Sequence, residues 1–388
     1  RFVKLVLMID VCMENREKGR VNMQQYFMPV RVMCGERIVS DQSRAVASFG
    51  KRILLVTGRN SAKICGALQD VEQVLKNNGQ ISVLFDQVMS NPTIDCVYEG
   101  ARIARQEQAD AVIAIGGGSP MDAAKAIAML AKNDLARADL FSGHYPNGAL
   151  PMIHIPTTAG TGSEVTPYAI LTNEEQQTKT SMSSPDLFPK LALLDAKYLE
   201  KLPARSVIYT AVDALSHSIE GMLTKKANVF TDSMAYQAIS MFSETLPAFE
   251  TRSFSYADLE RLLRASALAG MVIANTGTSV VHTMGYSFTY FKGIDHGCAN
   301  GLLLGSFLEL AQRQLPERVG EIVHHLRMQH AKELTACLRG LILERPSLTE
   351  EEIDFYTRQA ASSKKIQNGL VAVSADDIRR MFADAAER

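Results

Sequence analysis

Residues 111–130, "AVIAIGGGSPMDAAKAIAML", combine an apolar strand, a glycine loop and a helix in immediate succession. Glycines at such a junction let the backbone come close to a ligand and tolerate positive φ angles; here they are Gly116, Gly117 and Gly118. Further short apolar runs predict buried parallel strands, at residues 52–58, 81–86, 152–158 and 191–195. Helical stretches such as 62–79 and 93–108 alternate with them, so the sequence predicts a doubly wound α/β sheet, which binds ligands at its carboxyl edge.

The glycine loop leads into a predicted helix whose first turn suits an anion. Ser119 is expected to cap this helix, Pro120 to take its first position and Asp122 to lie in its first turn. Unpaired backbone N–H groups at such a helix start form an anion site. The loop matches neither G-x-G-x-x-G nor the Walker pattern, and a purely structural turn is the alternative for the loop alone.

A second polar loop, "PTTAGTGSEVT" at residues 156–166, follows another predicted strand. It concentrates hydroxyl groups between two glycines and beside them, on Thr157, Thr158, Thr161 and Ser163. Hydroxyls and free backbone N–H groups at the end of a buried strand suit the pyrophosphate or ribose of a dinucleotide. An ordinary polar turn is the alternative, and the presence of two such loops after successive strands argues against it.

After residues 201–206 long apolar-periodic segments replace the strand pattern, so the second half is predicted to be mostly helical. "VDALSHSIEG", residues 212–221, places Asp213 and His217 four apart on one helix face. An isolated Asp–His pair is the simpler interpretation, whereas half of a metal site needs further ligands. His282 and His296 would supply them, although a single histidine in an apolar helix is more often a core residue.

The composition is that of an ordinary globular protein: 388 residues, 46% hydrophobic, 21% charged and a net charge of −1. No basic block and no apolar run near the ~20 residues of a membrane span is present, so we expect neither nucleic-acid nor membrane partners. Six scattered cysteines without C-x-x-C spacing fit a reducing cytoplasm. We expect a cytoplasmic homodimer or larger homo-oligomer that acts on a small molecule.

The first 22 residues show no clear period and do not begin with Met, whereas Met23 opens the segment "MQQYFMPVRVMCGERIV". We interpret residues 1–22 as a non-native leader, added for expression or by upstream translation, and exclude them from the fold. The remaining chain is expected to divide into a dinucleotide-binding α/β domain, residues 23–203, and a helical metal-binding and substrate domain, residues 204–388.

Together these segments resemble the iron-dependent (group III) alcohol dehydrogenases, the family of lactaldehyde reductase and 1,3-propanediol dehydrogenase. The resemblance runs from about residue 23 to the end, carried by "GGGSPMD", "PTTAGTGSEVT", "DALSHSIEG" and residues 282–296. It implies a Rossmann-like α/β N-terminal domain, an all-α C-terminal domain of the dehydroquinate-synthase-like fold, and a cleft between them for nicotinamide cofactor and metal. By position it places the metal ligands on Asp213, His217, His282 and His296.

The resemblance also implies a set of cofactor contacts. In the two loops and the helix start they are expected at Gly117, Gly118, Ser119, Asp122, Thr157, Thr158 and Thr161. Lys179 in "QTKTSMSSP" corresponds to the cofactor-binding lysine of the family, and Asn91 in "SNPT" to another residue of the cofactor cleft. Without the resemblance, Lys179 would be interpreted as a surface charge.

Two positions depart from the family pattern. Tyr286 stands where many members have a second histidine, four residues after the third ligand. We expect it to line the substrate side of the pocket without binding metal, with core packing as the alternative.

Gly58 and Arg59 replace the aspartate of NAD-preferring members. They leave space and a bidentate partner for a 2′-phosphate, so NADP is expected to be preferred, unless Gly58 is only a turn residue and Arg59 faces solvent.

The implied activity is hydride transfer between a small primary alcohol or aldehyde and NADP or NAD. Four protein ligands suit Fe(II) better than the usual catalytic zinc arrangement of three, although Zn(II) usually binds such ligands more tightly. Two alternatives stay open: a related oxidoreductase or lyase of the same fold, such as a glycerol-dehydrogenase-like polyol enzyme, and a catalytically inactive nucleotide-binding subunit. The loop and helix patterns argue against the first and the complete ligand set against the second.

Overall fold

A computed structural model describes residues 24–386, so the interpretation of residues 1–22 as a leader, and a domain start at Met23, fall outside the described residues. The main sheet consists of parallel strands Arg31–Cys34 (β1), Arg52–Gly58 (β2), Ile81–Val88 (β3), Ala111–Gly116 (β4), Met152–Pro156 (β5) and Leu191–Leu194 (β8). Its order is β1-β8-β5-β4-β2-β3. Tyr168–Asn173 (β6) and Thr178–Ser183 (β7) form a separate antiparallel pair.

The strands predicted from apolar runs are all present. The inner strands are covered on both faces and are therefore apolar along their length, whereas β3, at the edge of the sheet, is largely exposed. Every residue of β4 and β5 is buried. The sequence patterns missed β1, which pairs with β8 at the sheet edge, and the β6–β7 hairpin. β1 and β7 are mostly half-buried and lack a long apolar run, and β6 has only a short one at residues 168–171.

The longer helices of the first half are Ala67–Asn77 (α1), Ile94–Gln106 (α2) and Gly118–Lys132 (α3), with short helices at Ile38–Asp41, Ser43–Ala47 and Ser61–Ile64. Thr93 caps α2 by accepting a hydrogen bond from the Cys96 N–H. The helical stretch predicted at 62–79 is interrupted at Gly66, where φ is 83°.

The start of α3 corrects one prediction. Gly117 is its N-cap residue, so Ser119 is not the cap, Pro120 is not the first helical residue, and Asp122 lies beyond the first turn. The helix begins directly after the strand because Gly117 adopts an extended conformation and no side-chain cap is used. The Ser119 hydroxyl instead accepts a hydrogen bond from the Asn91 N–H at 3.2 Å.

The second half is helical, as its periodicity predicts. Its longer helices are Ala204–Met222 (α4), Val229–Glu244 (α5), Tyr256–Thr276 (α6), Val280–Phe291 (α7), His296–Gln314 (α8), Pro316–His325 (α9), Ala331–Leu341 (α10), Glu350–Ala361 (α11) and Ala375–Ala385 (α12). A short helix, Leu246–Thr251, follows α5. In the part of the chain that the structure describes, no helix combines the length and apolar character that crossing a bilayer requires.

The two halves meet at the second polar loop. Gly162 has a φ of 60°, and a Cβ there would lie 2.5 Å from the Gly270 Cα on α6. A Cβ on Gly160 would lie 2.6 Å from the Thr210 carbonyl oxygen on α4. Glycine at both positions therefore lets this loop pack against the helices and brings the sheet edge next to α4.

Candidate metal and nucleotide site

A cavity of about 430 Å³ lies between the carboxyl edge of the sheet and the helical half. Most residues predicted for the site line it: Asn91, Gly118, Ser119, Asp122, Thr161, Lys179, Asp213, His217, His282, Tyr286 and His296. The other predicted cofactor residues are not part of that lining: Gly58, Arg59, Gly117, Thr157 and Thr158.

Helix α4 and the start of α7 bring three predicted metal ligands together. The ligand atoms of Asp213, His217 and His282 all lie within 4.8 Å of one another, and all three side chains are buried. The His217 and His282 rings are stacked with centroids 4.6 Å apart. His282 Nε2 is 3.7 Å from Asp213 Oδ1. A carboxylate oxygen and two imidazole nitrogens thus face one small volume.

His296, the first residue of α8, stands beside this group. Its Nε2 is 3.9 Å from Asp213 Oδ1, and its ring centroid is 5.4 Å from that of His282. It does not belong to the closest group of three. The structure therefore brings the four predicted ligands to one place, three of them closely.

Each of the three imidazoles has one buried nitrogen without a hydrogen-bond partner among the described residues: His217 Nδ1, His282 Nε2 and His296 Nδ1. Burial lowers the pKa of His217 to about 4 and that of His296 to about 3, so both rings are neutral at neutral pH. An unpaired buried polar atom costs about 1–3 kcal/mol. Neutral imidazole nitrogen is a preferred donor to divalent transition metals, so this donor set fits a metal ion.

Asp213 is held in its charged form. Burial opposes its ionisation, but the neighbouring imidazoles and a side-chain hydrogen bond from Asn300 keep its pKa below the usual value. Asn300 lies one turn after His296 on α8 and donates to Asp213 Oδ1 at 2.9 Å. Sequence reasoning missed Asn300, although its spacing of four from His296 places both on one helix face.

Glu220 is a second residue that sequence reasoning missed. Its carboxylate is buried at the start of α7, where it accepts hydrogen bonds from the N–H groups of Ser279, Val281 and His282. It also contacts His282 Nδ1 and so leaves Nε2 of that ring directed towards Asp213. The signal was present, because Glu220 follows Asp213 by seven residues, about two turns on the same face of α4.

The two polar loops are neighbours because β4 and β5 pair in the sheet. A Cβ on Gly117 would lie 3.0 Å from Thr158 Oγ1, and a Cβ on Gly118 would lie 2.7 Å from Thr161 Cγ2. The absence of side chains at these two glycines is therefore what allows the loops to pack together. The backbone at the start of α3 stays open to the cavity, as an anion site requires.

Lys179, on β7, faces the same cavity. Burial lowers its pKa to about 8, against the opposing effect of Asp122 and Asp213.

Lys125, which the sequence analysis did not single out, is fully buried on α3. Its ammonium donates to Ser163 Oγ at 2.8 Å, to the Thr166 hydroxyl at 3.1 Å and to a backbone carbonyl of β6 at 2.7 Å.

Asp122 faces the cavity but is engaged within the protein. One carboxylate oxygen accepts from the Ser163 hydroxyl at 2.6 Å, and the other accepts from the Ile170 N–H at 3.0 Å. The Lys125 ammonium lies 3.7 Å from the first oxygen. These contacts tie the start of α3 to the second loop, so Asp122 acts on the site through the position of that loop.

Tyr286 lines the cavity, as expected, and lies outside the closest group of ligands. Its ring stacks on His296 with centroids 5.7 Å apart.

Gly58 ends β2, where a Cβ would make ordinary contacts, the nearest at 3.4 Å from the Val88 carbonyl oxygen. Arg59 is exposed, and the hydrogen bonds and ion pairs of residues 24–386 do not include its guanidinium.

Family models match both halves of the chain. The model described as "Iron-containing alcohol dehydrogenase" matches residues 29–196, and "Fe-containing alcohol dehydrogenase family, C-terminal" matches residues 207–385. Together they extend from before the first strand to the last helix.

Individual proteins agree with these models. The NADPH-dependent butanol dehydrogenase of Clostridium saccharobutylicum is 31% identical over 301 residues, 76% of this chain and 77% of that protein. The NAD-dependent methanol dehydrogenase of Bacillus methanolicus is 28% identical over 386 residues, 94% of this chain and 100% of that protein. A crystal structure of an iron-containing alcohol dehydrogenase from Thermotoga maritima has a TM-score of 0.87 at 35% identity, over 94% of this chain and 99% of that one.

These matches and the geometry of the site support one activity. They give no support to a glycerol-dehydrogenase-like polyol enzyme or to an inactive nucleotide-binding subunit. The chain therefore belongs to the iron-containing alcohol dehydrogenase family and is a metal-dependent oxidoreductase that interconverts alcohols and aldehydes with NAD(P).

Proposed function

We propose that the chain reduces short aldehydes to primary alcohols, and catalyses the reverse reaction, at a metal ion held by Asp213, His217, His282 and His296. The observation that carries this proposal is the convergence of Asp213, His217 and His282, whose ligand atoms lie within 4.8 Å of one another, with the buried and unpaired His282 Nε2 3.7 Å from the carboxylate of Asp213. Such an arrangement is costly in a folded protein unless something binds there. Fe(II) is the expected metal, with Zn(II) as a competitor that binds such ligands tightly.

When bound, the metal would act as a Lewis acid on the substrate oxygen and the nicotinamide would supply or accept the hydride. The chain itself positions these groups. Glu220 fixes the His282 ring, and Asn300 holds the Asp213 carboxylate. Ile170 and Ile273 line the cavity and exclude water from one part of its wall. A cavity of about 430 Å³ shared with the nicotinamide favours short substrates.

The cofactor phosphates are proposed to bind at the start of α3 and along the second loop, with Lys179 as a cationic partner. Gly118, Ser119 and Thr161 offer backbone and hydroxyl donors on the cavity wall. Related proteins named for NADPH and for NAD both exist, so family membership does not decide the cofactor. We propose a preference for NADP(H), since Arg59 is exposed and no carboxylate follows β2 to repel a 2′-phosphate.

A dinucleotide-binding α/β domain at residues 23–203, a helical domain at 204–388, a cytoplasmic location and a homo-oligomeric state remain predictions. Expression of residues 204–388 alone would test the domain boundary. Cell fractionation would test the location, and light scattering of the purified chain would test the oligomeric state.

The activity is tested by removing metal from the purified chain, adding Fe(II) without oxygen, and following NADPH and NADH oxidation with a panel of short aldehydes. We expect turnover only after reconstitution. Activity that is equal before and after metal removal would contradict the proposal. His324, an exposed histidine far along the chain on α9, offers a control, because His324→Ala should leave reconstitution unchanged.

A further inference from the structure

Part of the cavity rim is built from three segments of the helical half: residues 223–226, 276–279 and 365–370. The Lys225 N–H donates to the Asn368 carbonyl at 2.9 Å, and the Leu370 N–H donates to the Leu223 carbonyl at 2.8 Å. The Asn368 side chain donates to the Thr276 carbonyl at 2.9 Å. These bonds fix the three segments relative to one another, so side chains on the rim have a defined position.

Two lysines of this rim, Lys226 and Lys365, line the cavity. Neither takes part in an ion pair within residues 24–386, and both side chains are exposed at the cavity mouth. Their neighbour Lys225 differs, because its ammonium is bound to the Gln367 carbonyl at 2.7 Å. The two cavity lysines therefore hold positive charge that the described residues do not neutralise.

The acidic residues of the cavity do not balance this charge. The lining contains two carboxylates, Asp122 and Asp213. Asp122 is already bound to Ser163 and lies near Lys125, and Asp213 belongs to the histidine group. A divalent ion at that group would add further positive charge, so the cavity attracts anions.

The rim also lies at a suitable distance from the histidines. The Lys365 ammonium lies 5.0 Å from the centroid of the Tyr286 ring, and the same ring stacks on His296 with centroids 5.7 Å apart. Lys365 and His296 are thus both direct neighbours of Tyr286, and the ammonium lies near the histidine group. A molecule with only a few carbon atoms between two functional groups can span that separation.

We propose that the preferred substrate is a short aldehyde with an anionic group, a carboxylate or sulfonate, at its far end, and that Lys226 and Lys365 bind this group. The proposal rests on the proposed aldehyde reduction at the histidine group. The anion pairs with the two ammonium groups while the carbonyl faces the histidines, so one molecule satisfies both ends of the cavity. Neutral aldehydes of the same length lack the second contact.

The test compares 4-oxobutanoate with pentanal, an uncharged aldehyde of similar length, on the Fe(II)-loaded protein with NADPH. We expect kcat/KM to be at least about tenfold higher for 4-oxobutanoate, as one charge-assisted contact is worth about that factor. Lys365→Gln and Lys226→Gln should each lower kcat/KM for 4-oxobutanoate by about tenfold, through KM, and leave pentanal within about twofold. Lys364→Gln, an exposed neighbour outside the lining, is the matched control and should change neither.

Equal kcat/KM for the two aldehydes would overturn the inference while leaving aldehyde reduction intact. Equal losses for both aldehydes in the lysine variants, or an increased KM for NADPH, would also overturn it, because the lysines would then serve the cofactor. Inactivity of the metal-loaded protein towards every aldehyde would contradict the proposed function itself.

Discussion

Two buried ionic clusters border the same cavity and differ in one respect. The histidine cluster, Asp213, His217, His282 and His296, contains three imidazole nitrogens without partners among the described residues. The lysine cluster consists of Lys125 with the oxygen atoms around it, and there the ammonium donates to three acceptors. Burial and charge are common to both, so neither property by itself marks a functional site.

The difference lies in hydrogen-bond saturation. A buried ammonium that makes all its bonds holds the second loop against α3 and offers nothing to a ligand. In the histidine cluster, by contrast, each imidazole has one unpaired nitrogen beside the cavity that a bound ligand can satisfy. We therefore expect changes in the first cluster to affect metal and turnover, and changes in the second to affect stability.

The largest effect is expected at the ligands. His217→Ala and His296→Ala should each lose metal, with affinity reduced more than ~100-fold, the upper limit typical of residues that only support a ligand. Turnover should be lost with the metal, while circular dichroism still shows a folded chain. Metal content and rate are measured on the same sample. Full activity in a metal-depleted variant would refute the metal assignment.

Lys125→Met should produce the converse result. Removing one member of a buried charged group leaves Asp122 without its cation, which we expect to lower the free energy of unfolding by about 3 kcal/mol. Bound metal per folded chain should not change. Lys132→Met, on the exposed end of the same helix, is the control for stability. Loss of metal without loss of stability would show that the two clusters do not have separate roles.

Glu220→Gln tests the support of the histidine cluster. An amide keeps the size of the side chain but accepts with only one oxygen, so the His282 ring is held less well. Metal affinity should fall about 10- to 100-fold. Glu164 is equally buried but does not contact a ligand histidine in the structure, and Glu164→Gln should leave metal affinity unchanged. Similar losses in both variants would mean that buried carboxylates matter only for folding.

Gly58→Asp tests the sheet edge away from both clusters. A carboxylate there should repel the 2′-phosphate and lower the NADP-to-NAD preference by about tenfold, the effect of roughly one charged contact. Steady-state kinetics with both cofactors measure it. An unchanged preference would rule out the proposed cofactor role of this position, and metal content should be normal in either case.

Tyr286→Phe should have the smallest effect. The ring contact with His296 remains and only the hydroxyl is lost, so metal content and activity are expected to stay within about twofold. A phenol is a poorer ligand than imidazole for a divalent ion at neutral pH, because it must first lose its proton. Loss of metal in this variant would show that the tyrosine is a ligand and that the histidine cluster is incompletely described.

Much of the fold could be predicted because it depends on local pattern. Parallel strands buried on both faces are continuous apolar runs, and the 3.6-residue period identifies the helices of the second half. The strand β1 was missed because its partner is distant in sequence, as in the pairing of Arg31 with Leu191. The β6–β7 pair is local, and it was missed because its second strand, Thr178–Ser183, is mostly polar. The cap of α3 was misassigned because the Ser119 hydroxyl bonds to Asn91, 28 residues away.

The sequence by itself determined which candidate side chains share one face of the chain. Asp213 and His217 share a helix face whatever the rest of the chain does, and the glycines at 116–118 and in the second loop can permit close packing of the backbone. His282 and His296 were candidates from the sequence, and the resemblance to a known family assigned the four expected ligands and the expected cofactor contacts.

Only the tertiary structure decided how those residues are used. It placed Glu220 against His282, bound Asp122 inward to Ser163, saturated Lys125 and left one nitrogen of each imidazole in the histidine cluster unpaired. The physical reason is that saturation of a buried polar group depends on atoms from several distant segments. Spacing along one helix fixes direction, whereas hydrogen-bond partners and burial arise only when the segments pack together.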